Sequence, residues 1–185
     1  MNMCLSGGAD GADIAWGVAA EKAGHSVVHW SFTGHKSHAD YISVLDTTQL
    51  KVADNYLELA NKSLMRKWPT SSNFINNLLR RNFYQIYYSD CVYAVSKFTN
   101  DSSLLKISGG TAWACQMYID RWLHTDTNIE NCQLYFFDQV LEKWFTWKGK
   151  WTEINMPPVP AGVYAGIGSR ELNESGLNAI CNVYG

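Results

Sequence analysis

Apolar, β-prone stretches recur at residues 3–5, 26–30, 91–95, 133–137 and 163–167, and helical periodicity fills most of the intervals between them. Such alternation predicts an α/β fold in which a parallel sheet carries helices on both faces. Residues 12–23 read as a helix with Ile14, Val18 and the alanines on its apolar side, opened at Asp10 or Gly11 and stopped by a left-handed Gly24. Leu50, Ala53, Leu57, Ala60 and Leu64 step by threes and fours and predict a second amphipathic helix. A third spans 72–88 with Phe74, Ile75, Leu78 and Leu79 inward, a fourth 110–123 and a fifth 172–184, and Pro69 separates the second from the third.

After Phe137 the pattern turns to aromatic alternation, with Trp144, Trp147 and Trp151 around Lys148-Gly149-Lys150, which predicts a small Trp-rich β appendage over 139–155. Its tryptophans either pack over a helix or a sheet edge or line a ligand cleft. Residues 156–160 follow as an extended, proline-bearing connector.

The chain has 185 residues, 46% hydrophobic and 17% charged, the balance of one globular domain over 1–185 and not of a disordered chain. No run approaches the roughly 18 apolar residues needed to span a bilayer, so no membrane is expected as a partner. Fifteen basic against seventeen acidic residues leave a net charge of −2, which disfavours nucleic acid as a partner. The basic pairs Arg66-Lys67 and Arg80-Arg81 are scattered. Cys4, Cys91, Cys115, Cys132 and Cys181 make an odd set without C-x-x-C, and the first residues lack the basic and apolar regions of a signal peptide. A reduced, cytoplasmic protein is expected.

Three glycine turns carry the candidate chemistry. Ser6-Gly7-Gly8-Ala9-Asp10-Gly11-Ala12-Asp13 joins the first strand to the first helix, where glycines admit a ligand close to the backbone and helix N–H groups can hold an anion. Ser108-Gly109-Gly110-Thr111 enters the fourth helix, and Gly166-Ile167-Gly168-Ser169-Arg170 ends the last strand, with Arg170 suited to bidentate phosphate contact. Glycine also punctuates such turns for steric reasons alone, and Asp10 and Asp13 also suit helix capping. In a doubly wound sheet the carboxyl ends of the strands share one edge, so three turns meeting there favour a phosphate-bearing ligand. The third turn has Glu171 where a dinucleotide fingerprint needs its last glycine, and neither a Walker phosphate loop nor a G-x-S-x-G elbow is present.

Taken together, residues 6–13, 108–111 and Val163-Tyr164-Ala165-Gly166-Ile167-Gly168-Ser169-Arg170 resemble the motifs of the SLOG superfamily. That Rossmann-like group includes the Lonely Guy phosphoribohydrolases, the DNA-processing protein A family and nucleotide-sensing domains of bacterial antiviral systems. In the family the G-S-R strand opens the domain, whereas here it follows the other motifs. The resemblance therefore implies a circular permutation of the kind found in tailed bacteriophages. It implies a five-stranded, mainly parallel sheet in the order 26–30, 3–5, 163–167, 91–95, 133–137, with its switch point between 163–167 and 91–95. Residues 32–69 become a helical insertion, and 161–185 complete the sheet of their own chain or, swapped, of a second copy in a homo-oligomer.

Set against the Lonely Guy motifs, Leu79-Arg80-Arg81-Asn82 matches the arginine at Arg81 and replaces the lysine by Asn82, while Gln116 stands where the catalytic glutamate belongs. Glutamine cannot accept a proton or stabilise an oxocarbenium ion as a carboxylate does. The ligand set implied is Ser6, Gly7, Gly8, Asp10, Asp13, Arg81, Asn82, Ser108, Gly109, Gly110, Thr111, Gly168, Ser169 and Arg170, with no catalytic residue and no cofactor. Asp10 or Asp13 could act as a base, cap the helix or accept from ribose hydroxyls, and Trp113 could stack on a base or pack inward. His29, His35 and His38 lie close in sequence, but no cysteine joins them in a zinc pattern. The resulting expectation is non-catalytic sequestration of a nucleotide-derived immune signal of ADP-ribose or cyclic type in an infected host's cytoplasm. The alternatives are an enzyme that cleaves nucleotides or their N-glycosidic bonds and, third, handling of single-stranded DNA.

Overall fold

Each of the five apolar runs becomes a strand in the computed structural model, which describes residues 1–99, 105–125 and 128–185. In chain order the elements are β1 (Met3–Ser6), α1 (Ala12–Lys22), β2 (Ser26–Phe32), β3 (Ile42–Leu45), α2 (Thr47–Val52), α3 (Asp54–Leu64) and α4 (Asn73–Tyr87). They continue with β4 (Cys91–Ser96), α5 (Thr111–Thr125), β5 (Leu134–Asp138), β6 (Lys143–Trp147), β7 (Trp151–Ile154), β8 (Val163–Gly168) and α6 (Glu174–Asn182).

These strands form one mixed sheet of eight in the order β3-β2-β1-β8-β4-β5-β6-β7, not the five expected. The five expected strands sit adjacent in the expected order, and every pairing from β3 to β5 is parallel. β8 lies between β1 and β4, with Met3 opposite Val163 and Tyr93 opposite Gly166. It therefore completes the sheet of its own chain.

The three additional strands correct the reading of both elaborations. The insertion is not wholly helical, because Ile42-Ser43-Val44-Leu45 pairs with β2 at the sheet edge before the helical pattern begins. The Trp-rich segment is not an appendage, because β6 pairs antiparallel with β5, Phe137 opposite Trp144, and β7 closes the hairpin. Trp144 stacks obliquely on Phe137 at 5.2 Å, while Trp151 packs on Phe136 at 5.5 Å. These aromatics cover the two faces of the sheet's far edge.

The helix expected across residues 50–64 is two. Asp46 closes a capping box with Gln49 to start α2, the helix stops at Ala53, and Asp54 opens α3 with a carboxylate in its first turn. On one face of the sheet α1 and α6 bury Trp16 and Ile180 against Tyr93 and Tyr164. On the other, α3, α4 and α5 bury Leu57, Ile86 and Met117 against Phe136. β4 is buried along its whole length, as a strand covered on both faces must be.

Two helix faces differ from the periodicity. α1 turns small residues and Trp16 to the sheet and leaves Val18 exposed, since Gly17 is where the helix closes on the ring of His29. α4 buries Leu79, Phe83 and Ile86, while Phe74 and Ile75 in its first turn stay exposed. The reason for the second lies at the site.

Candidate functional site

From β1 the connections run outward to β2 and β3, whereas β4 and β5 lie on the other side of β8, so the winding reverses around β8 and β4. Parallel strands bring their carboxyl ends to one edge, and a crevice opens where the winding reverses. A cavity of about 590 Å³ occupies that position, within the range of small-molecule sites. It is lined by Ser96 and Lys97 at the end of β4, Ile167 through Arg170 at the end of β8, and Gln139 after β5. One side carries Asp10 and Asp13 of the first turn, and another Ser108, Gly109, Gly110 and Thr111 at the start of α5. α4 closes it with Ile75, Leu78, Leu79, Arg81 and Asn82, which is why its first apolar residues avoid the core.

The first and third turns are stitched together. The Ser169 N–H donates to the Val95 carbonyl at 2.9 Å, and the Ala12 N–H donates to the Ser169 carbonyl at 3.0 Å. Part of the α1 N-terminus is therefore already used by protein. Gly11, at φ 91°, lets the turns meet, since a Cβ there would lie 2.4 Å from the Arg170 carbonyl oxygen.

Eleven of the fourteen candidate residues line this cavity, and Ser6, Gly7 and Gly8 do not. The Ser6 hydroxyl donates to the carbonyls of Asp13 and Gly166 at 2.9 and 2.7 Å, tying β1 to α1 and β8. A Cβ on Gly7 would lie 1.3 Å from the Arg81 Nη1, so that glycine makes room for a buried ion pair. Gly8, at φ 60°, accommodates Ser37 of the β2–β3 loop, whose hydroxyl would be 2.3 Å from an added Cβ.

The ion pair is Arg81 Nη1 on Asp13 Oδ2 at 2.8 Å, and the same nitrogen donates to Gln85 Oε1 at 3.0 Å. Both charged side chains are almost wholly enclosed, at 4% and 7% exposure. Yet Arg81 Nε and Gln85 Nε2 are buried donors without a protein acceptor, and both residues line the cavity. Buried donors of this kind are costly unless something accepts from them.

Arg66 forks onto the carbonyls of Gly109 and Ile107, each at 2.8 Å, and thereby pins the second glycine turn. Burial lowers its guanidinium pKa. Arg66, Lys67, Arg81, Lys97 and Arg170 line the cavity against the carboxylates Asp10, Asp13 and Glu171. Lys97 and Glu171 form an exposed pair at 3.8 Å, whereas Lys67 and Arg170 have no carboxylate within ion-pair distance among the described residues.

Gln116 lies outside the cavity. It donates to Asp120 Oδ1 at 2.8 Å and lines a separate void of about 180 Å³ beside Trp147 and Trp151. The face that α5 turns to the cleft carries Thr111 and Ala114 instead, so α5 brings no carboxylate there. Trp113 reaches the cleft but is 4% exposed and tilts against Trp68 at 5.9 Å, a packing role. Among the described residues no three His, Cys, Asp or Glu side chains are grouped to hold a metal ion. His29 is buried behind α1, with burial lowering its pKa, and His35 bonds Ser31 Oγ through Nδ1 at 2.9 Å. Burial, reinforced by Arg81, holds the His35 imidazole down at about 4, so it is neutral near pH 7.

Sequence reasoning passed over Arg66, Lys67, Lys97 and Gln139 as parts of the site. Arg66-Lys67 was visible only as a basic pair, and nothing local ties Arg66 to a turn 41 and 43 residues away.

No protein-family model matches the chain, and no curated protein matches it. Among solved structures it is similar to a "Putative molybdenum carrier protein" from Syntrophus aciditrophicus SB, with 13% identity and a TM-score of 0.53. The match covers 99% of this chain and 92% of that one, and it shows a shared α/β fold.

Proposed function

We propose that this protein binds an anionic, nucleotide-derived small molecule at the carboxyl edge of its sheet and holds it without changing it. The observation that carries the reading is the charge of the cleft, five cations to three carboxylates, on a chain whose net charge is −2. Local cationic excess in a low-dielectric crevice concentrates an anion there. Arg170 is the cation assigned to phosphate, with Arg81 Nε and Gln85 Nε2 as further donors. Ile75, Leu78 and Leu79 offer an apolar wall to a flat base, and Asp10 is free to accept from ribose hydroxyls.

Retention without chemistry rests on the carboxylates. Asp13 is committed to Arg81, Glu171 faces solvent beside Lys97, α5 contributes none, and the remaining carboxylate, Asp10, is assigned to hold ribose hydroxyls. With the resemblance to permuted SLOG domains, this supports a Rossmann-like, phage-encoded sponge that removes a nucleotide immune signal. The description of the structural neighbour as a carrier agrees with holding more than with turnover.

Calorimetry on the full chain tests the reading with AMP, a cyclic nucleotide, ADP-ribose, molybdate and a single-stranded oligonucleotide. At least one small nucleotide is expected to bind at micromolar Kd or below. Arg170→Ala is expected to weaken it about 10- to 100-fold, the worth of a charge-assisted hydrogen bond. Preference for the oligonucleotide would favour DNA handling, preference for molybdate would assign an inorganic cargo, and silence from every nucleotide would overturn the proposal.

A further inference from the structure

A second cavity, of about 350 Å³, adjoins the first beyond the β8 turn. The two share Ala9, Asp10 and Arg170 as common lining, so the guanidinium of Arg170 and the carboxylate of Asp10 stand at the boundary between two lobes. The smaller lobe is closed by Gly34, His35 and Lys36 of the β2–β3 loop and by Phe74 of α4.

Nothing in the core requires this lobe, yet its wall is built. The His35 N–H donates to the Phe32 carbonyl at 2.9 Å, and its ring stacks on Phe32 at 5.2 Å and an interplanar angle of 20°. Phe32 in turn meets Phe74 edge-on at 5.6 Å. With Nδ1 held by Ser31, His35 leaves Nε2 buried and without a protein partner. Phe74 is 42% exposed and lines this void. An exposed ring, a spare imidazole nitrogen and a lysine around one void make a small recognition site.

Resting on the nucleotide-binding reading above, we infer that the ligand is two-headed, a nucleoside and a second ribose unit joined by a diphosphate. One head occupies the larger cavity against Leu78 and Leu79, and the other occupies the smaller against Phe74, with His35 and Lys36 on its polar groups. The diphosphate spans the boundary at Arg170, and Asp10 accepts from a ribose hydroxyl there. A mononucleotide fills one lobe only. Adding the second head adds contacts without a second loss of translational freedom, so affinity should rise steeply.

Calorimetry with AMP and ADP-ribose as probes separates this inference from the reading beneath it. Wild type is expected to prefer ADP-ribose over AMP by about tenfold or more, tenfold being about 1.4 kcal/mol. In His35→Ala, Phe74→Ala and Lys36→Ala the ratio of the two affinities should fall toward one. Lys36 is exposed, so its variant remains informative if the loop variants fail to fold. AMP binding with no preference for ADP-ribose, or a preference that survives all three substitutions, overturns the two-headed ligand and leaves nucleotide binding standing. Failure of both probes to bind overturns both.

Discussion

Arg81 and Asp13 lie 68 residues apart and meet inside the protein, and their pairing sets what can be changed at the site. Removing Arg81 strands a buried carboxylate, so Arg81→Ala is expected to cost about 3–5 kcal/mol in denaturant unfolding. A loss below about 1 kcal/mol would mean the pair is solvated. Gly110 behaves differently. A Cβ there meets only Leu79 at 3.7 Å and Asn82 at 3.9 Å, ordinary contacts, so Gly110→Ala should fold normally while blocking the approach of a ligand to the α5 turn. Unchanged affinity in a folded Gly110→Ala protein would reduce that glycine to a turn former. His35 supplies a pH test. Its folded pKa of about 4 lies below the ordinary 6.5, so between those values the unfolded chain binds more protons. Stability from this group is present above pH 6.5 and lost as pH falls toward 4. Urea midpoints at pH 7 and pH 5 should therefore differ less in His35→Gln than in wild type. At this scale the sequence singled out Asp13, Arg81, Gly110 and Arg170 because they stand in motifs, and the fold brings them to one cavity. It could not show that Gly7 serves the ion pair or that Arg66 clamps Gly109, since both relations are made by the fold.

Among the elements, β8 is the one on which the sheet depends. It pairs with β1 on one side and β4 on the other, and the Gly162 carbonyl accepts from the Met3 N–H at 2.9 Å. A chain ending at Pro160 would leave β1 paired only with β2 and β4 only with β5, splitting the sheet at its centre, and uncover Trp16 and Tyr93. It should unfold without a cooperative transition, and cooperative unfolding of that truncated chain would show that β1 to β5 can close without β8. The five inner strands were legible because each apolar run has strand length and is bounded by turns or helical periodicity, whereas their order came from the resemblance of the glycine motifs to the SLOG pattern. β3 escaped notice because it has four residues of alternating burial at an edge, with a loop before it and a capped helix directly after it. β6 and β7 were seen as strands, yet their continuity with β5 depends on pairings such as Phe136 with Phe145 that local pattern does not encode. The apolar start of α4 misled because Ile75 and Leu78 line the cleft and not the core alone.

At the level of the whole molecule, a chain of net charge −2 places five cations around one crevice, including Arg170 and Lys67 without carboxylate partners among the described residues. Opposite charges at an open cleft are screened by salt, so affinity for an anionic ligand should fall between 0.05 and 0.5 M salt, concentrations at which screening lengths drop from roughly 14 to 4 Å. Binding independent of salt would point to the apolar wall alone. Holding a nucleotide and cleaving one start from the same cleft and differ in whether a carboxylate is free to act, and among the described residues Asp10 is the carboxylate that lines both lobes. The most direct test is to saturate the protein with ADP-ribose, incubate it overnight, release the ligand by heat and separate the products by chromatography. The account predicts recovery of ADP-ribose chemically unchanged, and the appearance of free base, AMP or ribose phosphate in amounts that grow with incubation time would contradict it.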